Sequence, residues 1–147
     1  MPYIKIWIHL IWTTKNRYPF IKKQIRSQVI SHIRENAKKK YIHLDFINAV
    51  EEHVHSLISL NADQSIAKVA QLLKGESSHW INKNKLTPTE FGWQDEYIAV
   101  SVSHSIVNKV REYIKNQEEH HRKKSFEEEY QLFLKKYGFD ILGKTKG

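Results

Sequence analysis

The chain has 147 residues with a net charge of +8, and 40% of them are hydrophobic against 27% charged, a balance typical of one globular domain over residues 1–147. It contains no cysteine, which excludes thiol catalysis, cysteine-bound zinc and a disulfide framework. Its N-terminal apolar run is too short to span a bilayer and no cationic stretch precedes it, so we expect a cytoplasmic protein without a membrane partner.

The first half of the sequence predicts a strand, a helix and two more strands. A period-two pattern rich in β-branched and aromatic residues indicates the first strand, with Leu10 and Trp12 in one row. The helix follows Pro19, carries apolar residues at helical spacing and ends in three lysines. Only Glu51-Glu52 separates the next two strands, which predicts an antiparallel hairpin with these glutamates as charges of the turn. The predicted ranges are 3–14 for the first strand, 21–40 for the helix, and 41–50 and 53–60 for the hairpin strands.

The second half predicts a helix, a fourth strand and two further helices. Ser103 or Ser105 is expected to cap the third helix, which runs to Gln117. Ser125 and Glu128 form a capping box for the last helix. The ranges are 66–80 for the second helix, about 96–102 for the strand, and about 126–137, closed by Gly138, for the last helix.

This order, β-α-β-β-α-β followed by two helices, predicts an α+β fold. Its first six elements match the ferredoxin-like, or RRM-like, arrangement, which has one antiparallel sheet with helices on one side. The other face or an edge of the sheet is then open to a nucleic acid. Because this fold serves many functions, the function must be argued from a site.

Positive charge is concentrated near the N-terminus, where residues 1–50 hold ten Lys/Arg and two Asp/Glu. Aromatic residues lie between these cations, so the segment could attract phosphate backbones and stack on bases. A solvated basic surface without a ligand is the alternative. If the protein binds nucleic acid, we expect contacts from the cations that follow the first strand, namely Lys15, Arg17, Lys22, Lys23 and Arg26.

Two groups of residues could carry chemistry. His53 and His55 are two apart on a predicted strand, so their imidazoles share one face and could bind a divalent metal, or could be a chance pair on a half-exposed face. Tyr113 and Gln117 are four apart and share a helix face, where Tyr113 could equally be a core residue. Gln117 and His120 make a polar continuation of that face. His9 and His43 could lie near the metal, although a buried, hydrogen-bonded histidine is the simpler interpretation, and residues 120–124 are interpreted as a basic linker.

Four stretches in this order resemble the HUH single-tyrosine transposases of small bacterial insertion sequences, the IS200/IS605 group. They are HLIWTTKNRYPFI at 9–21, EEHVHSLISL at 51–60, FGWQDEYIAVSVS at 91–103 and VREYIKNQEEHH at 110–121. The resemblance covers nearly the whole chain. Two positions depart from the family's pattern: Ser56 stands where a large apolar residue is common, and Glu51-Glu52 stands where Pro-Asp is common.

The resemblance implies a DNA transposase that cuts and rejoins single-stranded DNA. His53 and His55 would be the paired histidines, Gln117 the third protein ligand of Mg²⁺ or Mn²⁺, and Tyr113 the nucleophile that forms a 5′-phosphotyrosine intermediate. The partners it implies are DNA hairpins near the ends of the element and a second subunit in a homodimer, whose tyrosine helix can complete the site. The expected location is the cytoplasm, at the nucleoid when DNA is bound.

Three alternatives share these residues. A non-catalytic nucleic-acid-binding module could use the same scaffold, although an RNA-recognition domain would place aromatic residues on strand three, where this chain has histidines. A domesticated relative could bind hairpins without being mobile. A metal-dependent phosphohydrolase would attack with water and form no protein–DNA adduct.

Overall fold

The computed structural model describes residues 2–136, with side chains through residue 132. The chain forms two compact units, residues 1–117 and 118–147. The strands are β1 (Trp7–Thr14), β2 (His43–Ala49), β3 (His53–Ser59) and β4 (Trp93–Val102). The helices are α1 (Lys23–Lys39), α2 (Ile66–Lys83), α3 (Val107–Lys115), α4 (Gln117–Lys123) and α5 (Phe126–Lys136), with 3₁₀ turns at Lys15–Arg17 and His104–Ile106.

The first unit is built on a four-stranded antiparallel sheet in the order β2-β3-β1-β4. Leu10, Trp12 and Val54 point to one face of this sheet and pack with the apolar rows of α1 and α2. This layer is the main hydrophobic core, and it confirms the predicted α+β fold with α1 and α2 on one side of the sheet.

Helix α3 partly covers the opposite face of the sheet. From the sequence, this face or an edge was expected to be open. Val107 and Ile114 of α3 pack against Trp7 of β1 and Leu57 of β3, with Tyr113 at the margin of this cluster. Burial on this face therefore follows from a helix that comes after the βαββαβ order. The polar residues in its middle, which a half-exposed sheet would leave in water, are enclosed instead.

Several boundaries differ from the predicted ones. Strand β1 begins at Trp7, because Ile4 and Ile6 stay exposed at 36% and 44% and do not join the ladder. Strand β4 begins three residues earlier than predicted, at Trp93, whose indole contacts Trp12 edge to face. Ser103 caps the 3₁₀ turn, and no side chain caps α3.

The predicted third helix is divided into two. Helix α3 ends at Lys115, Asn116 caps it, and Gln117 begins α4, so Tyr113 and Gln117 do not lie on one continuous helix. Residues 120–123, interpreted from the sequence as a linker, are helical in α4.

The described part of the second unit contains the rest of α4 and helix α5. Ser125 and Glu128 form the predicted capping box, with Glu128 N–H donating to Ser125 Oγ at 3.2 Å and Ser125 N–H donating to Glu128 Oε1 at 3.4 Å. The predicted contribution of Tyr137 and the stop at Gly138 lie outside the described residues. No helix in residues 2–136 is long and apolar enough to cross a membrane.

Candidate metal and nucleophile site

Strand β3 places two histidines side by side on the face that α3 covers. His53 and His55 are 1% and 0% exposed, and their ring centroids are 5.0 Å apart. Val54 between them enters the core on the other face. The alternation predicted from the sequence is therefore present, but the face is buried, so the two imidazoles are not a chance pair at a solvated surface.

The hydrogen bonds of His53 define which of its nitrogens is available as a ligand. Nδ1 lies 3.0 Å from the Glu52 carboxylate, which accepts only, so Nδ1 carries the proton and a neutral ring has its lone pair on Nε2. Nε2 lies 3.4 Å from Gln117 Oε1. The Gln117 amide is oriented by its own Nε2–H, which donates to the Tyr113 carbonyl at 3.2 Å. With a neutral His53 ring, two lone pairs face each other, an arrangement that fits a cation.

His55 is held from the other side by a third histidine. His9 Nε2 and His55 Nδ1 are 2.9 Å apart, and His9 is itself 4% exposed. His9 lies on β1, which pairs with β3 so that Ile11 is opposite His55 and His9 is its diagonal neighbour. His55 Nδ1 is therefore engaged by His9 on the buried face of the sheet.

The donor set suits a divalent ion of intermediate hardness. Two imidazole nitrogens and one amide oxygen, from His53, His55 and Gln117, are neutral ligands that Mn²⁺ tolerates well and Mg²⁺ less readily. The carboxylate of Glu52 contacts His53 Nδ1, which is how outer partners orient metal-bound histidines. The residues present therefore fit the metal that the resemblance implies.

Tyr113 lies against the rings of His55 and His9 of the same chain. Its ring centroid is 5.6 Å from that of His55 and 6.1 Å from that of His9, in edge-to-face geometry. It is half-buried, at the margin of the apolar cluster that seats α3. A tyrosine in the middle of an apolar core would have no such polar neighbours, but the role of Tyr113 as nucleophile stays a prediction.

Two polar contacts tie α3 to the hairpin that carries the histidines. Asn48 of β2, directly opposite His55 in the ladder, donates from Nδ2 to the carbonyls of Ile114 at 2.9 Å and Lys115 at 3.1 Å. These are carbonyls of the last turn of α3, so the contact satisfies acceptors that a helix end leaves open. It also coincides with the break between α3 and α4 that brings Gln117 over His53.

The second contact is an ion pair made possible by a β-bulge. Asp45 is the extra residue where the register of β2 against β3 shifts, and its carboxylate receives two hydrogen bonds from Arg111 of α3, at 2.7 and 2.8 Å. Hydrogen bonding to Asp45 raises the pKa of Arg111, against the opposing effect of burial. The guanidinium of Arg111 therefore stays charged and makes a bidentate pair that ties α3 to β2.

We expect Asn48→Ala to destabilise the protein by about 1–2 kcal/mol, because two helix-terminal carbonyls lose their donor. It should also slow any reaction of Tyr113, since α3 is released at the end nearest the histidines. Urea unfolding and a cleavage assay measure the two effects. Asn61→Ala is the matched control, because Asn61 likewise donates to one backbone carbonyl, that of Tyr41, away from α3; an equal loss of cleavage in both variants would contradict this role.

The predicted basic residues lie in the segment that packs beside the β2–β3 turn. Thr14 N–H donates to the Glu52 carbonyl and Ile21 N–H to the Glu51 carbonyl, both at 2.9 Å, so this segment borders His53. Lys22 lies 3.9 Å from Glu51, and Arg26 donates to the Ile21 carbonyl, so these two cations also have structural contacts.

Sequence reasoning missed the roles of Glu52 and Asn48 in the geometry, and it gave a position of His9 near the metal only as an alternative. Glu52 was interpreted as a turn charge, but its carboxylate orients His53. Its position next to the paired histidines was the only available signal. Asn48 and His9 are on other strands, and only the pairing of β1 and β2 with β3 brings them to the site. Ser56, which departs from the family's pattern, is buried and donates to the Leu10 carbonyl at 2.9 Å, so its hydroxyl is satisfied.

Comparison with known proteins identifies the family of the chain. A family model described as "Transposase IS200 like" matches residues 3–117, which include every residue of the site. The chain belongs to this family of transposases. The resemblance inferred from the four sequence stretches is thereby confirmed. The ISDra2 transposase TnpA of Deinococcus radiodurans is 25% identical to this transposase over 114 residues, covering 74% of this chain and 81% of that protein.

Two solved structures share the fold of this transposase. A Deinococcus radiodurans R1 protein assigned as a transposase superimposes with a TM-score of 0.63 at 23% identity, covering 79% of this chain and 93% of that one. A REP-associated tyrosine transposase bound to a REP hairpin superimposes with a TM-score of 0.62 at 17% identity, covering 82% of this chain and 72% of that one. At these identities, the likeness establishes the fold alone.

Proposed function

We propose that this IS200-like transposase cuts and rejoins single-stranded DNA with Tyr113 as the nucleophile, at a site where His53, His55 and Gln117 hold Mg²⁺ or Mn²⁺. The observation that carries the proposal is the convergence of these four residues in one chain. Two buried imidazoles, one amide oxygen and one tyrosine ring meet on a face that would otherwise be core.

The metal, when bound, neutralises charge on the scissile phosphate and polarises its P–O bonds, which lowers the barrier to in-line attack. The protein contributes the positioning. Glu52 holds His53 with Nε2 toward the ligand space, and the Tyr113 carbonyl holds the Gln117 amide with its oxygen toward the same space. A pre-oriented donor set of this kind needs no rearrangement on binding.

Tyr113 supplies the reactive oxygen. A free phenol is a weak nucleophile at neutral pH, so the attack needs a nearby cation or base. As Oη bonds to phosphorus, the bond from phosphorus to the 3′-oxygen breaks, Oη loses its proton, and the departing 3′-oxygen takes one up. One DNA end is then a 5′-phosphotyrosine and the other a free 3′-hydroxyl. Because the phosphodiester energy is kept in the adduct, a different 3′-hydroxyl can reseal the strand.

The substrate in this proposal is single-stranded DNA near a hairpin. One structural relative is a tyrosine transposase bound to a REP hairpin, and the basic segment of this chain borders the site. A groove of about 470 Å³ beside Lys15 is lined by Tyr18 and Trp93, on whose rings unpaired bases could stack. We also propose a homodimer that acts at the nucleoid in the cytoplasm, as the family resemblance implies.

The direct test incubates the wild-type protein and Mg²⁺ or Mn²⁺ with a labelled single strand that carries a hairpin from the flank of the gene. A denaturing gel should show a labelled species retarded by the mass of the protein and sensitive to protease. A product without any protein adduct would instead indicate a phosphohydrolase that uses water. Binding without any product would indicate a non-catalytic or domesticated hairpin binder.

The basic segment should account for the salt dependence of DNA binding. We expect the double variant Lys15→Ala/Lys23→Ala to bind single strands more weakly, and the slope of log K against log salt to fall by about 0.7 per lost phosphate contact. Lys38→Ala/Lys39→Ala removes the same charge from the far end of α1, about 24 Å from Lys23 at 1.5 Å per residue. Fluorescence anisotropy over a series of salt concentrations measures both; identical slopes for the two double variants would show that only net charge matters.

A further inference from the structure

We infer that the groove beside Lys15 is a subsite for one unpaired nucleotide of the DNA strand, in which Tyr18 stacks on the base and the side-chain amide of Asn16 selects it. The inference rests on the proposed function, because it concerns the single strand that this transposase would cut. It adds to that function a specificity-determining residue outside the metal site.

The groove combines the groups that bind an unpaired nucleotide. Its volume of about 470 Å³ is typical of clefts that hold small ligands. Tyr18 is 55% exposed, and its ring is supported by Phe20, with centroids 4.6 Å apart. Trp93 forms a fixed wall, because its indole N–H donates to Ser77 Oγ at 3.0 Å. Lys15 is exposed and has no ion-pair partner in the described part of the chain, so its ammonium is available to a phosphate.

The turn that carries Lys15 and Asn16 has an unusual backbone conformation. Asn16, with φ 58° and ψ 20°, and Arg17, with φ 54°, are both in the left-handed region, which costs energy for residues other than glycine. Asparagine tolerates this region better than most residues, but an arginine directly after it does not. Strained residues of this kind persist only where surrounding contacts hold them, and they are typical of ligand clamps.

Residues at the start of β4 supply the contacts that hold this turn. Lys15 N–H donates to the Gly92 carbonyl at 2.8 Å, and Asn16 N–H donates to Gln94 Oε1 at 2.9 Å. The direction of both bonds is fixed, because a backbone N–H only donates. Gln94 is held in turn from α2, since its own carbonyl accepts from Lys74 Nζ at 2.6 Å. The backbone of Asn16 is therefore positioned without any contribution from its side chain.

The side-chain amide of Asn16 is left available to a ligand. It is exposed, lines the groove, and has no hydrogen-bond partner among the side chains and backbone of residues 2–132. An amide offers donors and an acceptor together, which is the set that pairs with the edge of a base. Glu90 lines the same groove and repels phosphate, whereas Lys15 attracts it. The nucleotide is therefore oriented with its phosphate at Lys15 and its base toward Glu90.

The subsite borders the metal site through the main chain. Thr14, the residue before the turn, donates its N–H to the Glu52 carbonyl at 2.9 Å, and Glu52 directly precedes His53. A strand that reaches the metal site therefore passes close to the groove. We expect the selected base to lie within a few nucleotides of the scissile phosphate.

The first test moves an abasic site along a labelled single strand and measures binding by fluorescence anisotropy. Loss of the base at one position should weaken binding to the wild type by about 5–150-fold, the range for one stacked base. Tyr18→Ala should bind the intact strand more weakly and be insensitive to loss of that base. Tyr41→Ala is the matched control, because Tyr41 is also an exposed tyrosine, and its abasic profile should equal that of the wild type. The wild-type profile in Tyr18→Ala would overturn the subsite.

The second test varies the identity of the base at the sensitive position. The wild type should prefer one base by about 5–150-fold, the discrimination of one good pair between a side chain and a base. Asn16→Gly should bind strands with all four bases equally, because glycine keeps the left-handed turn without strain while the amide is lost. An unchanged preference in Asn16→Gly would show that Asn16 is present for its backbone conformation alone.

The outcomes separate this inference from the proposed function. A wild type that forms the covalent adduct but has no base-sensitive position would overturn the subsite and leave the proposed function standing. A wild type with the sensitive position but without any cleavage would support the subsite and contradict the proposed reaction. Both altered side chains are exposed, so the melting temperatures should stay near that of the wild type. If Tyr18→Ala melts lower, Tyr18→Leu keeps more apolar volume without an aromatic face and gives the same test.

Discussion

Tyr113→Phe should abolish the covalent protein–DNA adduct and reduce strand cleavage by at least roughly a thousandfold, since loss of a nucleophile removes the reaction path itself. The phenylalanine keeps the ring that lies 5.6 Å from His55 and packs at the margin of the α3 cluster. Only the hydroxyl is lost. We therefore expect the melting temperature, Mn²⁺ affinity and hairpin binding to stay close to those of the wild type.

Tyr41→Phe is the matched control, because Tyr41 is 84% exposed and lies after α1, where only its backbone carbonyl receives hydrogen bonds, from Asn61 and Gln64. It should form the adduct at the wild-type rate. Mass spectrometry of the protease-digested adduct should place the nucleotide on the peptide that contains Tyr113. A full yield of adduct from Tyr113→Phe would exclude this nucleophile, and cleavage that persists without an adduct would favour attack by water.

His55→Ala should lower cleavage by at least roughly a hundredfold and weaken Mn²⁺ binding, while hairpin binding changes little. The reason is that, in the proposed mechanism, His55 would contribute a ligand nitrogen at the reacting phosphate, whereas the basic segment proposed to attract the DNA backbone is on α1 and the turn before it. Gel-based cleavage, anisotropy and calorimetry measure the three quantities on the same preparation.

Two further variants keep the His55 result interpretable. His55 is fully buried, so the alanine also leaves a void, and His55→Asn fills part of it and keeps a donor near the position of Nδ1. Both variants should lose activity, but His55→Asn should unfold closer to the wild-type temperature. His43→Ala is the surface control. Parallel losses of cleavage, hairpin binding and stability in all His55 variants would mark His55 as a structural histidine.

The strands and helices were predictable because their signals are local. Alternation in β1 and β3 and the helical spacing in α1 and α2 depend on residues that are neighbours in the sequence, and each of these elements is present. The boundaries were less predictable, because they depend on pairing partners. Ile4 and Ile6 continue the alternating pattern of β1, but both side chains stay exposed. Leu60 N–H donates to the Ile6 carbonyl, and the paired strand begins only at the next residue, Trp7.

The break after Lys115 shows a limit of helical periodicity. From the sequence, Tyr113 and Gln117 share one face of one helix, and nothing local indicates a stop. The stop coincides with donation from Asn48, a residue on another strand, to the final carbonyls of α3. Gln117 Oε1 lies 3.4 Å from His53 Nε2 after this break. The pattern of residues within α3 does not reveal the Asn48 contact.

The sequence by itself determined the family, the order of the elements, and the residue types that carry the chemistry: a histidine pair two apart, and a tyrosine with a glutamine four residues later. The tertiary structure decided the state of these residues. A helix on the second face of the sheet covers His53 and His55. Glu52, in the turn before β3, contacts Nδ1 of His53, and the pairing of β1 with β3 brings His9 to Nδ1 of His55. Tyr113 is thus a candidate nucleophile because of a histidine pair already oriented before any ligand binds. The physical reason is that burial forces each imidazole to have hydrogen-bond partners, and those partners include residues that only the fold brings together.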